Sequence, residues 1–175
     1  MTEPELCPLR AGDAELFRAL AGEEEVVRFL PDMRMTESYA AHLAEVSRMS
    51  AEFSPTEQQR LCGIYVGETL IGGLTLGPVY ETGYRVTVGF FLGKAYRGRG
   101  WGRAAVKKAL ALARDAGAGE VAALAETANV KSLALLEAVG FQKKETLALR
   151  LCGEREKRSF ILMIMTLQGE NACRN

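Results

Sequence analysis

The stretch VGFFLGKAYRGRGWGR, residues 88–103, determines which fold we expect for this chain. A strand pattern comes first, then a turn with the three glycines Gly98, Gly100 and Gly102, and then a helical pattern. Because glycine lacks a Cβ, such a turn bends tightly and lets its main-chain N–H groups approach a bulky anion. The N–H groups in the first turn of a helix are unpaired, and the helix dipole favours negative charge there. The stretch therefore predicts a phosphate-binding turn.

The charges around this turn agree with an anionic ligand. Six basic residues and no acidic residue lie between positions 94 and 108, whereas the whole chain has a net charge of 0. The basic residues are Lys94, Arg97, Arg99, Arg103, Lys107 and Lys108. Since the positive charge is local and no aromatic residues alternate with it, we expect no nucleic-acid partner.

Two motifs resemble those of a known family. Residues 97–102, RGRGWG, resemble the Arg/Gln-x-x-Gly-x-Gly/Ala pyrophosphate loop of the Gcn5-related N-acetyltransferases, the GNAT superfamily. Residues 129–141, NVKSLALLEAVGF, resemble that family's Asn-x-x-Ser…Gly-Phe helix. Both motifs stand in the family's order, and the resemblance covers residues 58–167. Within the family, the pattern is most similar to the ribosomal-protein-alanine N-acetyltransferase branch.

The order of predicted elements fits this family. The predicted strands are residues 6–10, 61–66, 69–76, 85–92, 121–125, 141–151 and 157–167. The predicted helices are residues 14–21 and 24–29, a longer helix that Thr36 caps, and residues 101–116 and 130–139. The resemblance implies an α/β fold of the mixed α+β kind, with a central, mostly antiparallel sheet of about seven strands flanked by helices. Residues 1–167 would form a single domain, and we expect the polar tail at 168–175 to be disordered.

The longer helix after Thr36 is predicted to bury one face. Apolar residues at helical spacing define that face, which is formed by Tyr39, Leu43, Val46, Ser50 and Phe53.

The resemblance implies acetyl-CoA as cosubstrate and no metal. The residues that would bind it are Phe90, Phe91, Leu92, Arg97, Gly98, Arg99, Gly100, Trp101, Gly102, Arg103, Asn129 and Ser132. In the family, the strands that end here at Leu92 and Glu126 are parallel neighbours whose carboxyl ends separate. The pantetheine arm lies in that opening and bonds to the exposed main chain of residues 90–92.

The chemistry of a thioester decides which catalytic groups to look for. An amine attacks only when neutral, yet a free alkylamine has a pKa of about 10.4, so the site must desolvate it or take its proton. Many members carry a tyrosine acid where this chain has Leu136 and a glutamate base where it has Leu124. The ribosomal-protein branch uses a serine, which is Ser132 here, as the acid. Glu126, on the same strand face as Leu124, is our candidate base.

Two other functions stay open from the sequence. Without the tyrosine and the glutamate, the chain also fits a catalytically degenerate acyl-CoA-binding sensor. A Rossmann-type dinucleotide-binding protein also has a glycine-rich turn between strand and helix, and Glu120 lies about 20 residues further on. Arg103 in place of a third small residue argues against that fold, as do the hairpin strands before the turn.

The composition is that of an ordinary globular protein, with 48% hydrophobic and 25% charged residues. No apolar run reaches the roughly 18 residues of a membrane helix, and no signal-peptide pattern is present, so we expect a cytoplasmic protein without a membrane partner. Four scattered cysteines predict neither a zinc site nor a disulfide framework.

The expected partner is a primary amine, on a small molecule or a protein N-terminus. Members of the family often form homodimers, so a homodimer is a further expectation.

Overall fold

The computed structural model describes residues 2–30, 37–79, 82–151 and 154–167. Its strands are β1 (Glu5–Cys7), β2 (Arg60–Val66), β3 (Thr69–Val79), β4 (Tyr84–Leu92), β5 (Glu120–Glu126), β6 (Gln142–Leu149) and β7 (Arg158–Thr166). Its α-helices are α1 (Ala14–Ala21), α2 (Glu24–Phe29), α3 (Glu37–Ser50), α4 (Trp101–Asp115) and α5 (Val130–Val139). The predicted cap at Thr36 and the predicted disorder at 168–175 lie outside the described residues.

The seven strands form one sheet in the order β1-β2-β3-β4-β5-β7-β6. Neighbouring strands are antiparallel, except that β4 and β5 are parallel. The predicted mixed, mostly antiparallel sheet is therefore confirmed. A Rossmann fold is excluded, because that fold is built from repeated parallel βαβ units.

The sheet opens between β4 and β5. Thr87 and Ala122 are the one pair in register between these strands among the described residues. β4 nevertheless continues to Leu92, which pairs with Gly72 of β3, and β5 continues to Glu126, which pairs with Phe160 of β7. Each strand thus stays bonded to its other neighbour while the two carboxyl ends separate.

Helices cover both faces of the sheet. On one face, α4 buries Val106, Leu110 and Ala113 in a cluster that also contains Leu136 of α5. A second cluster joins Phe17 of α1 and other α1–α3 residues to the sheet. The helices of the two faces meet at the open end of β4 and β5. No helix in the described ranges is long and apolar enough to cross a membrane.

The predicted buried face of α3 is confirmed in part. Ser50 is buried, and Leu43 is half-buried and packs against the second cluster, but Tyr39 is 48% exposed. The most buried residues of the helix are Ala40, Ala44, Ser47 and Ser50. The Ser47 hydroxyl accepts a hydrogen bond from Leu9 N at 2.8 Å and donates one to the Leu61 carbonyl at 2.9 Å. Small residues let α3 pack closely on the sheet, and these bonds offset the cost of burying a hydroxyl.

Strand ends also differ from the prediction. β1 ends at Cys7 instead of continuing to Arg10, because Pro8 has no N–H to donate to the ladder. β3 runs on to Val79 through Pro78, which the sheet tolerates because its pairing with β4 shifts register between Gly77 and Val79. β6 ends at Leu149 and not at Leu151.

Candidate functional site

The glycine turn between β4 and α4 has the predicted open conformation. Gly98 has a φ of 75° and Gly100 a φ of 79°, both in the left-handed region that favours glycine. Gly100 stands at the N-cap of α4, and no acidic residue lies in the first turn of that helix. The free main-chain N–H groups and the positive end of the helix dipole therefore face the same space.

A cavity of about 710 Å³ connects this turn to the opening between β4 and β5. At the turn end it is lined by Gly98, Gly100, Gly102 and Arg103. Its middle is lined by the separated strand ends, from Val88 to Leu92 and from Ala123 to Glu126, and by Asn129, Ser132, Leu135 and Leu136 of the α5 region. The rest of its apolar lining is formed by Val26, Phe29, Leu30, Leu151 and Phe160.

Most of the predicted acetyl-CoA residues line this cavity. They are Phe90, Phe91, Leu92, Arg97, Gly98, Gly100, Gly102, Arg103, Asn129 and Ser132. Two others lie outside the lining: the Arg99 guanidinium sits 5.2 Å from the centre of the Trp101 ring, and Trp101 Nε1 donates to the carbonyl of Thr2 at 3.3 Å. These two side chains stabilise the outside of the turn.

The Arg97 side chain forms hydrogen bonds and ion pairs within the protein. Its Nε donates to the Leu92 carbonyl at 2.8 Å, and its guanidinium pairs with Glu25 and, at 3.3 Å, with Glu23. The Glu23 carboxylate also accepts from the main-chain N–H of Lys94 at 2.7 Å. The arginine therefore ties the glycine turn to the end of β4 and to α2.

The acidic residues Glu23 and Glu25 at the start of α2 also belong to this site, although the helix dipole alone would explain acidic residues there. Glu25 lines the cavity and accepts a hydrogen bond from Lys131 Nζ at 2.9 Å as well as pairing with Arg97. The bond from Lys131, together with the charge of Arg97, lowers the pKa of the Glu25 carboxyl. Glu25 thus bridges α2, the turn before α4 and the start of α5.

Asn129 and Ser132 are brought together at the start of α5. Asn129 caps the helix, and its Oδ1 accepts from the main-chain N–H of Ser132 at 3.3 Å. The Ser132 side chain lines the cavity, and its hydroxyl forms no hydrogen bond with any described residue. Its hydroxyl proton is therefore available to a ligand.

Glu126 lies at the cavity end of β5 in an ion pair. Its carboxylate accepts from Arg158 Nη1 at 2.9 Å, and 17% of the side chain is exposed. Arg158 also donates to Glu154 at 2.8 Å and to the carbonyl of Arg28 at 2.8 Å. The bond to Glu154, and then that to Glu126, raise the pKa of Arg158, so the guanidinium stays charged. No local pattern pointed to a role for Arg158 at this site, because Glu126 and Arg28 lie 32 and 130 residues from it along the chain.

Family comparison agrees with this geometry. Residues 5–142 match the family model of the acetyltransferase (GNAT) domain, and the chain belongs to this family. Among curated proteins, no sequence matches the chain.

Solved structures share the fold at low sequence identity. A GNAT-family acetyltransferase from Bacillus anthracis has a TM-score of 0.78 at 13% identity, over 95% of this chain and 96% of that one. The Salmonella typhimurium acetyltransferase that modifies the N-terminal serine of ribosomal protein L7/L12 has a TM-score of 0.78 at 11% identity, over 96% and 97%. Spermidine N-acetyltransferase from Vibrio cholerae, in complex with CoA and spermine, has a TM-score of 0.72 at 14% identity, over 94% and 95%. The predicted family is confirmed, and an enzyme of the predicted ribosomal-protein branch is among the structures with this fold.

Proposed function

We propose that this protein transfers the acetyl group of acetyl-CoA to a primary amine by direct attack on the thioester. One observation carries the proposal: a single cavity joins the glycine turn before α4 to the opening between β4 and β5. An anion-binding turn and an open strand edge in one space suit a ligand that has a diphosphate at one end and an amide-containing arm at the other.

The turn would hold the diphosphate mainly through its main chain. Arg97 is engaged by Glu23, Glu25 and the Leu92 carbonyl, so the N–H groups after Gly98 and Gly100 supply the donors. Arg103, which is exposed at the turn end of the cavity, would add a positive charge. Among the described residues, the main chain of β4 beyond Thr87 has no register partner on its β5 side, so its polar groups would be available to the arm.

The transfer itself requires few groups. The neutral amine nitrogen forms a bond to the acetyl carbon, the carbon–sulfur bond breaks, and the sulfur leaves as a thiolate. Ser132 would give its hydroxyl proton to that thiolate and regain one from solvent water, since the hydroxyl is free to donate. Glu126 would accept the proton that the amine loses, from the end of β5 where Arg158 orients it. A main-chain N–H at the end of β4 would stabilise the oxyanion.

The alternative is an acyl-CoA-binding sensor without turnover. Leu136 is buried where many members of the family carry the tyrosine acid, and Leu124 stands at the position of the glutamate base. Such a protein would bind acetyl-CoA through the same turn and strand opening. A cytoplasmic location and a homodimer stay predictions in both cases.

Analysis of the reaction products distinguishes an acetyltransferase from an acyl-CoA-binding sensor. The protein is incubated with acetyl-CoA and a panel of primary amines and N-terminal peptides, and N-acetylated products are identified by mass spectrometry alongside release of the free CoA thiol. We expect an acetylated amine with one thiol released per product. Binding of acetyl-CoA without any acetylated product would support the sensor, and absence of binding would contradict both.

A further inference from the structure

The cavity has an apolar wall. It is formed by Val26, Phe29 and Leu30 of the α2 region, Leu151 after β6, and Phe160 of β7. Val26 and Phe160 are buried, whereas Leu30 at the rim is 37% exposed. Phe160 pairs in register with Glu126 at the end of β5, so this wall lies beside the candidate base.

The carboxylates of the cavity already have partners. Among the described residues that line it, the acidic ones are Glu25 and Glu126. Glu25 is paired with Arg97 and Lys131, and Glu126 is paired with Arg158. Three of the lining residues are basic, namely Arg97, Arg103 and Lys131. Among the described lining residues, a second ammonium group on the acceptor would therefore find no unpaired carboxylate, and it would lose its hydration without gaining a counter-charge from them.

We propose that the acceptor is a monoamine whose carbon chain is apolar, and not a polyamine or another multiply charged amine. This inference rests on the proposed acetyl transfer and names its substrate class. The amine nitrogen would reach the strand opening while the carbon chain packs on the apolar wall, where burial of its surface is favourable. The same contacts desolvate the ammonium and so favour the neutral form that attacks.

Two amines of equal size test the inference. Pentylamine and putrescine have the same number of non-hydrogen atoms, but the terminal methyl of the first is replaced by a second ammonium in the other. Under saturating acetyl-CoA, we expect kcat/KM for pentylamine to exceed that for putrescine about tenfold or more. Equal values, or a preference for putrescine, would overturn the inference.

A charge placed on the wall provides an independent test. Leu30→Glu adds an unpaired carboxylate at the rim, so kcat/KM should fall for pentylamine and rise for putrescine, while the KM for acetyl-CoA stays unchanged. Leu16→Glu is the matched control, because Leu16 is similarly exposed, at 39%, on α1 and outside the cavity lining. A control variant that changes the preference as much as Leu30→Glu would contradict the inference.

Calorimetry with acetyl-CoA alone distinguishes a failure of the assigned substrate class from a failure of the proposed acetyl transfer. If acetyl-CoA binds and neither pentylamine nor any other apolar monoamine is acetylated, the assigned substrate class is wrong while the acetyl-CoA site stands. If acetyl-CoA does not bind to the folded protein, the proposed function fails and this inference fails with it.

Discussion

At the scale of single residues, Glu25 connects the parts of the molecule that meet at the cavity. Its carboxylate accepts from Lys131 of α5 at 2.9 Å and pairs with Arg97 of the glycine turn. The side chain is 41% exposed, so water screens both interactions, and their contribution to stability is modest. Their main effect is geometric, because they fix α2 against the two elements that flank the strand opening.

The lowered pKa of Glu25 gives a pH-dependent prediction. The unfolded chain binds a proton at the ordinary pKa of 4.5, and the folded protein binds it only at lower pH. The stabilisation is therefore present above about pH 4.5 and is lost as the pH falls through the folded-state pKa. Urea unfolding should show wild type more stable than Glu25→Gln at pH 7, with the difference shrinking by pH 3.5. Glu57→Gln, at an exposed residue outside these ion pairs, is the matched control, and an equal trend there would contradict the assignment.

Ser132 gives a kinetic prediction. Ser132→Ala removes the hydroxyl but keeps the main-chain N–H that Asn129 caps, so α5 should stay intact. If the hydroxyl protonates the leaving thiolate, kcat should fall about tenfold or more while the affinity for acetyl-CoA changes little. Steady-state kinetics and calorimetry on the same preparation measure both quantities. An unchanged kcat would remove Ser132 from the mechanism.

The sequence predicted local features of the site better than its ion pairs. Positive φ at Gly98 and Gly100 follows from a short glycine-rich motif between a strand and a helix. The pairing of Arg97 with Glu25 joins residues 72 positions apart, and that of Arg158 with the Arg28 carbonyl joins residues 130 apart. Such contacts depend on how the helices pack against the sheet, and a local sequence pattern does not predict that packing.

At the scale of secondary-structure elements, the end of β4 depends on its close contact with β3. A Cβ built on Gly72 would lie 2.1 Å from the Phe91 carbonyl oxygen and 3.0 Å from Leu92 Cα. Those residues form the strand end that borders the opening. Because Gly72 has no side chain, β3 can stay hydrogen-bonded to the end of β4, where β4 is no longer paired with β5.

Gly72→Ala should therefore destabilise the protein, because the strand backbone has to move. We expect a loss of about 1–3 kcal/mol in the free energy of unfolding, together with weaker acetyl-CoA binding in the fraction that stays folded. Gly12→Ala is the matched control, since nothing lies within 4 Å of a Cβ built there. Chemical denaturation measures both variants, and equal stabilities would contradict the role given to Gly72.

The sequence predicted whether a segment forms a helix or a strand. It did not always predict which side of that element is buried or at which residue the element ends. Apolar patterns predicted most of the strands and α-helices, because such a pattern reflects a buried side. β6 is an exception, since its residues are exposed or half-buried. The face of α3 was predicted only in part, because its most buried residues include Ala40, Ala44 and Ser47, which the pattern of larger apolar residues did not indicate. Small residues carry little hydrophobic signal, although they allow the closest packing.

At the scale of the whole molecule, the opening in the sheet results from its topology. β5 is paired with β7 along its length, and β4 is paired with β3, so both strands keep their hydrogen bonds while separating from each other. Composition and periodicity could not predict this order, which the family resemblance supplied. The α4 helix then places its N-terminus and the glycine turn beside the opening.

The binding of acetyl-CoA at this place is the central claim, and two glycines at opposite ends of α4 test it. Gly100 has a φ of 79° at the cavity, and Gly117 has a φ of 83° at the other end of the helix. Replacing either with valine strains the backbone to a similar degree. Only the change at Gly100 puts a side chain where the diphosphate would approach the main chain.

The decisive measurement is isothermal titration calorimetry of acetyl-CoA with wild type, Gly100→Val and Gly117→Val, each first shown to be folded by circular dichroism. We predict that wild type and Gly117→Val bind with equal affinity and that Gly100→Val shows no binding. A folded Gly100→Val protein that binds acetyl-CoA as tightly as wild type would contradict the account.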